Sequence, residues 1–149
     1  MAKAEESSIS ALHQLWAQLE NQQHELAITM QEVGIDAAAV ESMRERQALL
    51  LLEISGVVAE IRDAPATTLE DYLALLDVAL EHEVDLAGDI ALYGPKDFPM
   101  ITRLLRALAQ RAPGFEFNSL RRWLSPGQYE EVVGDAHTGA AEPIGFGAR

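Results

Sequence analysis

Carboxylates recur at every fourth position between residues 77 and 89, and a histidine stands beside them. Asp77, Glu81, Asp85 and Asp89 form this line, and His82 directly follows its second member. Steps of four place side chains on one face of a helix. Carboxylates and imidazoles bind divalent ions, and helical bundles build metal sites from such side chains. The pattern therefore predicts a candidate metal site formed by Asp77, Glu81, His82 and Asp85.

A solvated acidic face is the competing interpretation of this line. Charged side chains on a helix usually contact only water, and three cations further along the chain offer counter-charges: Arg103, Arg106 and Arg111. The Glu-x-x-His motif that di-iron bundles repeat on paired helices does not occur in the sequence. We therefore expect no metal and no cofactor, and keep a metal site formed by Asp77, Glu81, His82 and Asp85 as the alternative.

Catalytic motifs of other classes are also missing from the sequence. It contains no Gly-x-Ser-x-Gly elbow, no phosphate-binding Gly-x-x-x-x-Gly-Lys loop and no Gly-x-Gly-x-x-Gly turn. The four histidines are scattered along the chain and share no motif. No catalytic residue is predicted.

The composition is that of a folded acidic protein. The 149 residues are 48% apolar, include no cysteine and carry a formal net charge of −13. This size and composition are typical of one domain, which we place at residues 1–134, followed by a flexible tail at 135–149. The acidic charge opposes binding to nucleic acid and to anionic membranes. Because no segment has the apolar length of a signal peptide or a membrane span, we expect a cytoplasmic protein.

Two heptad runs mirror each other about Ile35 and predict a helical hairpin. Each run alternates steps of three and four, which places its members on one helical stripe. The runs are Ile9-Leu12-Trp16-Leu19-Gln23-Leu26-Met30-Val33 and Val40-Met43-Gln47-Leu50-Ile54-Val57-Ile61. Between them, Gly34 is suited to end one helix and Asp36 to cap the next. We expect an all-α fold built on antiparallel helices at about residues 7–33 and 37–63.

Shorter helices are predicted in the rest of the chain. Their expected ranges are about residues 68–87, 98–111, 119–124 and 126–133. Thr67 and Glu70 have the spacing of a capping box at the start of the first, and Gly88 is placed to end it. The second of these helices is expected to bury a stripe formed by Ile101, Leu104, Leu105 and Leu108, and the core is also expected to include Trp123 and Tyr129.

The hairpin carries more apolar side chains than its seam can cover. Leu15 and Ile28 lie off the seam on the first helix, and Leu49 and Leu52 lie off it on the second. Gly56, in the middle of a helix, costs about 1 kcal/mol relative to alanine and indicates a close approach of another backbone. A helix that is apolar on several sides is buried on several sides. We expect later helices of the chain to cover one flank and a second copy, in a homodimer, to cover the other.

A proline-containing turn carries a resemblance to other proteins. The segment Ala64-Pro65-Ala66-Thr67-Thr68-Leu69-Glu70, after a long helix and a first helix that bears Trp16, resembles short uncharacterised helical proteins of rhizobia and related alphaproteobacteria. The likeness covers about residues 12–80. Those proteins usually continue with glycine and lysine, whereas this chain has Glu70, Asp71 and Asp77. The resemblance implies no known activity, so it supplies no functional residue.

Together these patterns favour a non-enzymatic interaction or assembly protein that dimerises through its hairpin. One alternative is a metal- or small-ligand-binding helical bundle that uses the acidic face of the third helix. A second alternative is an acidic mimic of nucleic acid, which would occupy a basic cleft on another protein. The mimic requires that the carboxylates between residues 77 and 89 be exposed.

Overall fold

The computed structural model describes the backbone of residues 2–33 and 36–134, and the side chains of residues 8–32 and 36–134. Within these residues the chain forms α-helices joined by turns and one 3-10 turn, and it contains no strand. The helices are α1 (Ala2–Val33), α2 (Ala37–Asp63), α3 (Leu69–His82), α4 (Leu86–Tyr93), α5 (Pro99–Arg111), α6 (Asn118–Trp123) and α7 (Pro126–Val133). The all-α prediction is confirmed.

The chain divides into two compact units, residues 1–66 and residues 67–149. The first unit contains α1 and α2, and the second contains α3 to α7. The single domain predicted over residues 1–134 stays a prediction. The predicted flexible tail, residues 135–149, lies outside the described residues.

The first unit is the predicted hairpin, in which α1 packs along α2. Asp36 caps α2 as predicted, because its side chain accepts a hydrogen bond from the backbone N–H of Ala38 at 3.2 Å. The helix ends at Asp63, just before the Ala64-Pro65 step that disfavours helical backbone. α1 begins at Ala2, about five residues earlier than predicted. Gly34 and Ile35, the centre of the sequence mirror, lie outside the described residues.

The seam of the hairpin is most deeply buried in the half where α1 begins and α2 ends. The buried seam residues are Ile9, Trp16 and Leu19 on α1 and Leu50, Ile54, Val57 and Ile61 on α2. The glutamines at the middle level of the mirror, Gln23 and Gln47, are half-buried. Trp16 donates its indole N–H to the buried carboxylate of Glu20 at 3.1 Å. Burial of each large seam side chain contributes about 1.5–3 kcal/mol, so this half supplies most of the hairpin's stability.

The second unit has its own core, to which all five of its helices, α3 to α7, and the intervening loops contribute. Its buried side chains are Leu73, Leu80, Ala87, Ile90, Leu105, Ala109, Ala112, Phe117, Leu120, Leu124, Tyr129, Val132 and Val133. Pro99 and Pro126 occupy first-turn positions, where a missing N–H costs nothing. Ser125 and Gln128 form a reciprocal capping box at the start of α7.

The helix predicted over residues 68–87 is interrupted, which corrects the sequence prediction. α3 ends at His82, and Asp85 then adopts left-handed backbone with φ 41° before α4 begins. Gly88 lies inside α4 rather than ending a helix, and α4 ends instead at Gly94, whose φ is 96°. At the break, the N–H groups of Glu83 and Val84 both bond to the carbonyl of Ala79, and these bonds close the last turn of α3.

The capping box of α3 is displaced by one residue from its predicted position. Thr68, not Thr67, is the N-cap, and its hydroxyl accepts the N–H of Asp71 at 3.1 Å. Asp71, not Glu70, reaches back to the N–H groups of Thr67 and Thr68, at 2.9 and 3.1 Å. The box is therefore Thr-x-x-Asp, with one carboxylate accepting both N–H groups before the helix.

Two of the side chains predicted in the core of this region are exposed. Leu104 is 52% exposed and Trp123 44% exposed, so both predictions are wrong. Tyr129 is buried as predicted, and its hydroxyl accepts the backbone N–H of Phe117 at 3.3 Å. The guanidinium of Arg121 lies 4.0 Å from the centre of its ring.

None of the described helices combines the length and the apolar character needed to cross a lipid bilayer.

Candidate interaction surface

Asp77, the first candidate metal ligand, is fully buried in the second unit. One carboxylate oxygen, Oδ2, accepts the N–H of Asn118 at 2.8 Å. The other, Oδ1, accepts the N–H of Ser119 at 2.9 Å and its hydroxyl at 2.7 Å. Asp77 thus caps the N-terminus of α6 from a distant helix, where a negative charge also complements the helix dipole.

Glu81, one turn further along α3, is bound to the other end of α6. Its Oε1 accepts a hydrogen bond from Arg122 and its Oε2 accepts the indole N–H of Trp123 at 2.9 Å. The side chains of Arg122 and Glu81 are almost fully buried. Removing one partner of such a pair leaves an uncompensated charge, so this ion pair helps to hold α6 in place on α3.

The structure does not gather the four candidate metal ligands into one site. Asp77 and Glu81 point to α6, His82 ends α3, and Asp85 lies in the break before α4. Glu81 and His82 have ligand atoms within 4.8 Å of each other, but Asp77 and Asp85 do not join that group. The structure assigns Asp77 and Glu81 to bonds that fix α6.

The carboxylates also fail to form the exposed line that a nucleic-acid mimic needs. Asp77 is buried and Glu81 is nearly so, while Asp85 and Asp89 are exposed beyond the break. Arg106, a predicted counter-charge for this line, donates instead to the carbonyl oxygens of Glu130 and Glu131. The acidic face predicted on one continuous helix is therefore divided into two carboxylates on α3, the buried Asp77 and the nearly buried Glu81, and two exposed ones, Asp85 at the break and Asp89 on α4.

The candidate interface residues of α2, by contrast, lie on the surface. Leu49 is 64% exposed and Leu52 is 70% exposed. At about 100° per residue, they lie about 140° and 160° around the helix from the buried Ile54. They therefore point away from α1, as the sequence predicted.

Gly56 lies on the same side of α2, and no backbone of the described residues approaches it closely. It is exposed, and a Cβ added to it would have no atom of the described chain within 4 Å. The predicted close approach at Gly56 is therefore not made by the described residues, and approach by a second copy, the other source that the sequence left open, stays a prediction. Because glycine has no side chain, the surface beside Leu52 is flat and accessible.

Five exposed residues on this side of α2 form what we call the outer stripe of α2: Glu45, Leu49, Leu52, Gly56 and Glu60. Steps of four, three, four and four keep them on one line along the helix. The middle of the stripe, Leu49, Leu52 and Gly56, is apolar, and its two ends carry the carboxylates of Glu45 and Glu60. Sequence reasoning found the apolar middle and missed the acidic ends, although the same spacing marks them.

Leu15 and Ile28, the candidate interface residues of α1, are exposed but do not form one surface. They are thirteen residues apart, which places them about 140° from each other around α1. One partner helix cannot cover both. Leu51 of α2, which sequence reasoning did not select, is also exposed and lies about 100° from Leu52, outside the outer stripe.

A shallow depression of about 400 Å³ lies at the end of the hairpin where α1 begins and α2 ends. It is wide open to solvent. Its lining is Ser8, Leu12, Ala59, Glu60, Asp63, Ala64 and Pro65. Ligand pockets of this volume normally enclose most of the ligand, so this open depression is a poor small-molecule site.

No protein-family model, no curated protein and no solved structure matches this chain. The resemblance based on residues 64–70 therefore stays a prediction. What the chain can do has to be inferred from its own surfaces, among which the outer stripe of α2 is the best-defined apolar feature.

Proposed function

We propose that this protein is an interaction or assembly protein that self-associates through the outer stripe of α2 to form a dimer. The observation that carries the proposal is the exposure of Leu49 and Leu52 on the side of a helix opposite its buried seam. Exposed apolar side chains that cluster between polar ones are typical of protein contact surfaces. The bonds that Asp77 and Glu81 make to α6 favour this proposal over a metal-binding bundle.

The two leucines can supply a useful part of a dimer's binding energy. Full burial of a leucine contributes about 1.5–3 kcal/mol, and these two are about one-third buried already, which leaves about 1–2 kcal/mol for each. A dimer in which both copies use the stripe buries four such side chains, for about 4–8 kcal/mol. Because 1.4 kcal/mol is tenfold in Kd, their loss weakens the dimer by about a thousandfold or more.

The test compares the solution mass of the full chain with that of a variant, Leu49→Gln with Leu52→Gln. Glutamine is about as good a helix former as leucine, so the monomer keeps its fold. The matched control is Leu92→Gln, which replaces a leucine that is 73% exposed on α4, outside the stripe. Light scattering at tens of micromolar measures the mass, and circular dichroism measures the helix content.

We expect twice the chain mass of 16.3 kDa for the wild type and the control, and a helical monomer for the double variant. A double variant that remains dimeric would show that the outer stripe is not the interface. A monomeric wild type would overturn the proposal as a whole.

A further inference from the structure

The charges of the outer stripe argue against its pairing with itself. The glutamates at its ends, Glu45 and Glu60, are both exposed. If two copies packed α2 against α2 in parallel, each glutamate would face its own counterpart. Antiparallel packing that pairs Leu49 with Leu52 would place Glu60 opposite the exposed Glu41 of the second copy. Like charges that face each other across a helix contact are destabilising.

A surface with the complementary character lies on α5, in the second unit. Four exposed residues form what we call the α5 stripe: Met100, Leu104, Ala107 and Arg111. Steps of four, three and four align them on one side of the helix. Met100 is 82% exposed, the most of any large apolar side chain among the described residues. No aspartate or glutamate occurs between Pro99 and Arg111.

The two stripes match in length, character and charge when the helices run parallel. Leu49 to Glu60 spans eleven residues, and so does Met100 to Arg111, which is about 16 Å of helix in each case. Met100 then faces Leu49, Ala107 faces Gly56, and Arg111 faces Glu60. The small pair allows the two backbones to approach closely at one end of the apolar contact.

The charge match extends to the other end of the stripes. On α2, Glu45 precedes Leu49 by four residues, and the exposed Lys96 lies in the 3-10 turn Pro95–Asp97 that leads into α5, at the end of the stripe where Met100 lies. Neither Lys96 nor Arg111 takes part in an ion pair in the part of the chain that the structure describes. The parallel alignment thus places an apolar centre between two pairs of opposite charges.

We propose that the outer stripe of α2 in one copy of the chain binds the α5 stripe of a second copy. This inference rests on the proposed self-association and names the surface that completes it. Because each copy carries one stripe of each kind, a dimer closes when the contact is made twice. The charged ends set the direction of the contact, and the apolar centre provides most of its affinity.

Two charge-reversed variants of the full chain test this pairing. The first variant, Glu45→Lys with Glu60→Lys, makes the ends of the outer stripe basic. The second, Lys96→Glu with Arg111→Glu, makes the corresponding positions beside and on the α5 stripe acidic. Each variant alone places like charges opposite each other in both contacts of the dimer. When the two variants are mixed, every contact again joins opposite charges.

Sedimentation velocity, with circular dichroism as the check on folding, gives the readout. We expect each variant alone to associate at least about tenfold more weakly than the wild type, and an equimolar mixture to recover the dimer. High salt should reduce the difference between the wild type and the variants, because screening weakens exposed charge pairs.

The outcomes separate this inference from the proposed function. If the Lys96 and Arg111 variant dimerises like the wild type while the Leu49 and Leu52 variant is monomeric, the α5 stripe is not the partner and only this inference fails. A mixture that does not recover the dimer overturns the inference as well. If the wild type is a monomer, both proposals fail, and each stripe would be left for a partner of another kind.

Discussion

Replacing Asp77 by asparagine tests the structural role that the buried carboxylate has in the second unit. Asparagine keeps the shape and one acceptor oxygen, which can still serve Ser119. It places an NH₂ group where Oδ2 accepts the N–H of Asn118, so two donors then face each other. The substitution also removes the negative charge from the N-terminus of α6.

The magnitude follows from these losses. A hydrogen bond to a charged group contributes about 1.5–3 kcal/mol, and a charge at a helix N-terminus contributes about 0.3–1 kcal/mol. The expected loss in the stability of α6 is therefore about 2–4 kcal/mol. Because 1.4 kcal/mol is tenfold in an equilibrium constant, the amides of α6 should exchange with solvent about thirtyfold to a thousandfold faster.

Hydrogen exchange measured by mass spectrometry on the peptide that covers Asn118–Trp123 provides the assay. Glu83→Gln is the matched control, since it removes one carboxylate from an exposed position six residues away. The control should leave the exchange of α6 within about threefold of the wild type. If Asp77→Asn leaves that exchange equally unchanged, the carboxylate does not hold α6 and our reasoning about the acidic line is wrong.

Three further substitutions probe the two units separately. The pKa of Asp71 is lowered, mainly by the hydrogen bond from the N–H of Thr67 and also by that from Thr68, although burial opposes this shift. The cap therefore stabilises the fold at pH values above 3.8, the ordinary pKa of aspartate, and this stabilisation is lost as the pH falls below 3.8. In Asp71→Asn, the stability of the fold, measured by circular dichroism during unfolding, should therefore change less between about pH 5 and lower pH than in the wild type. Burial raises the pKa of Tyr129 above the ordinary value of 10.0, although the hydrogen bond from the N–H of Phe117 opposes this shift. The buried neutral phenol therefore stabilises the fold below pH 10.0, and this stabilisation declines at higher pH as the phenol ionises. An ultraviolet pH titration should show a late tyrosinate component that Tyr129→Phe removes. In the hairpin, Ile54→Ala should cost about 2–5 kcal/mol in urea unfolding, and a loss below about 1 kcal/mol would show that the seam is loosely packed.

The hairpin could be predicted from sequence because its signal is local and repeated. Each of its helices repeats the apolar spacing over several turns, and Asp36 marks the start of α2. Leu49 and Leu52 could be assigned to the surface for the same reason, since the seam defines which side of α2 is buried. The sequence could not assign a neighbour to Gly56, because a glycine on an open surface and a glycine at a close contact have the same local sequence pattern.

The second unit was harder to predict because its determinants are far apart in the chain. Apolar periodicity continues across residues 83–85, so the left-handed backbone at Asp85 has no counterpart in the pattern. From the local sequence Asp77 is expected to be solvated, because its partner Ser119 lies 42 residues further along the chain and only the fold brings the two together. Leu104 and Leu105 are both apolar, and only the packing of α5 shows that the first is exposed and the second buried.

Sedimentation equilibrium of the wild-type chain, from below one micromolar to roughly a hundred micromolar, tests the central claim of self-association most directly. A chain that forms dimers gives an average mass that rises with concentration from 16.3 kDa towards twice that value. A mass that stays at 16.3 kDa over the whole range would contradict it.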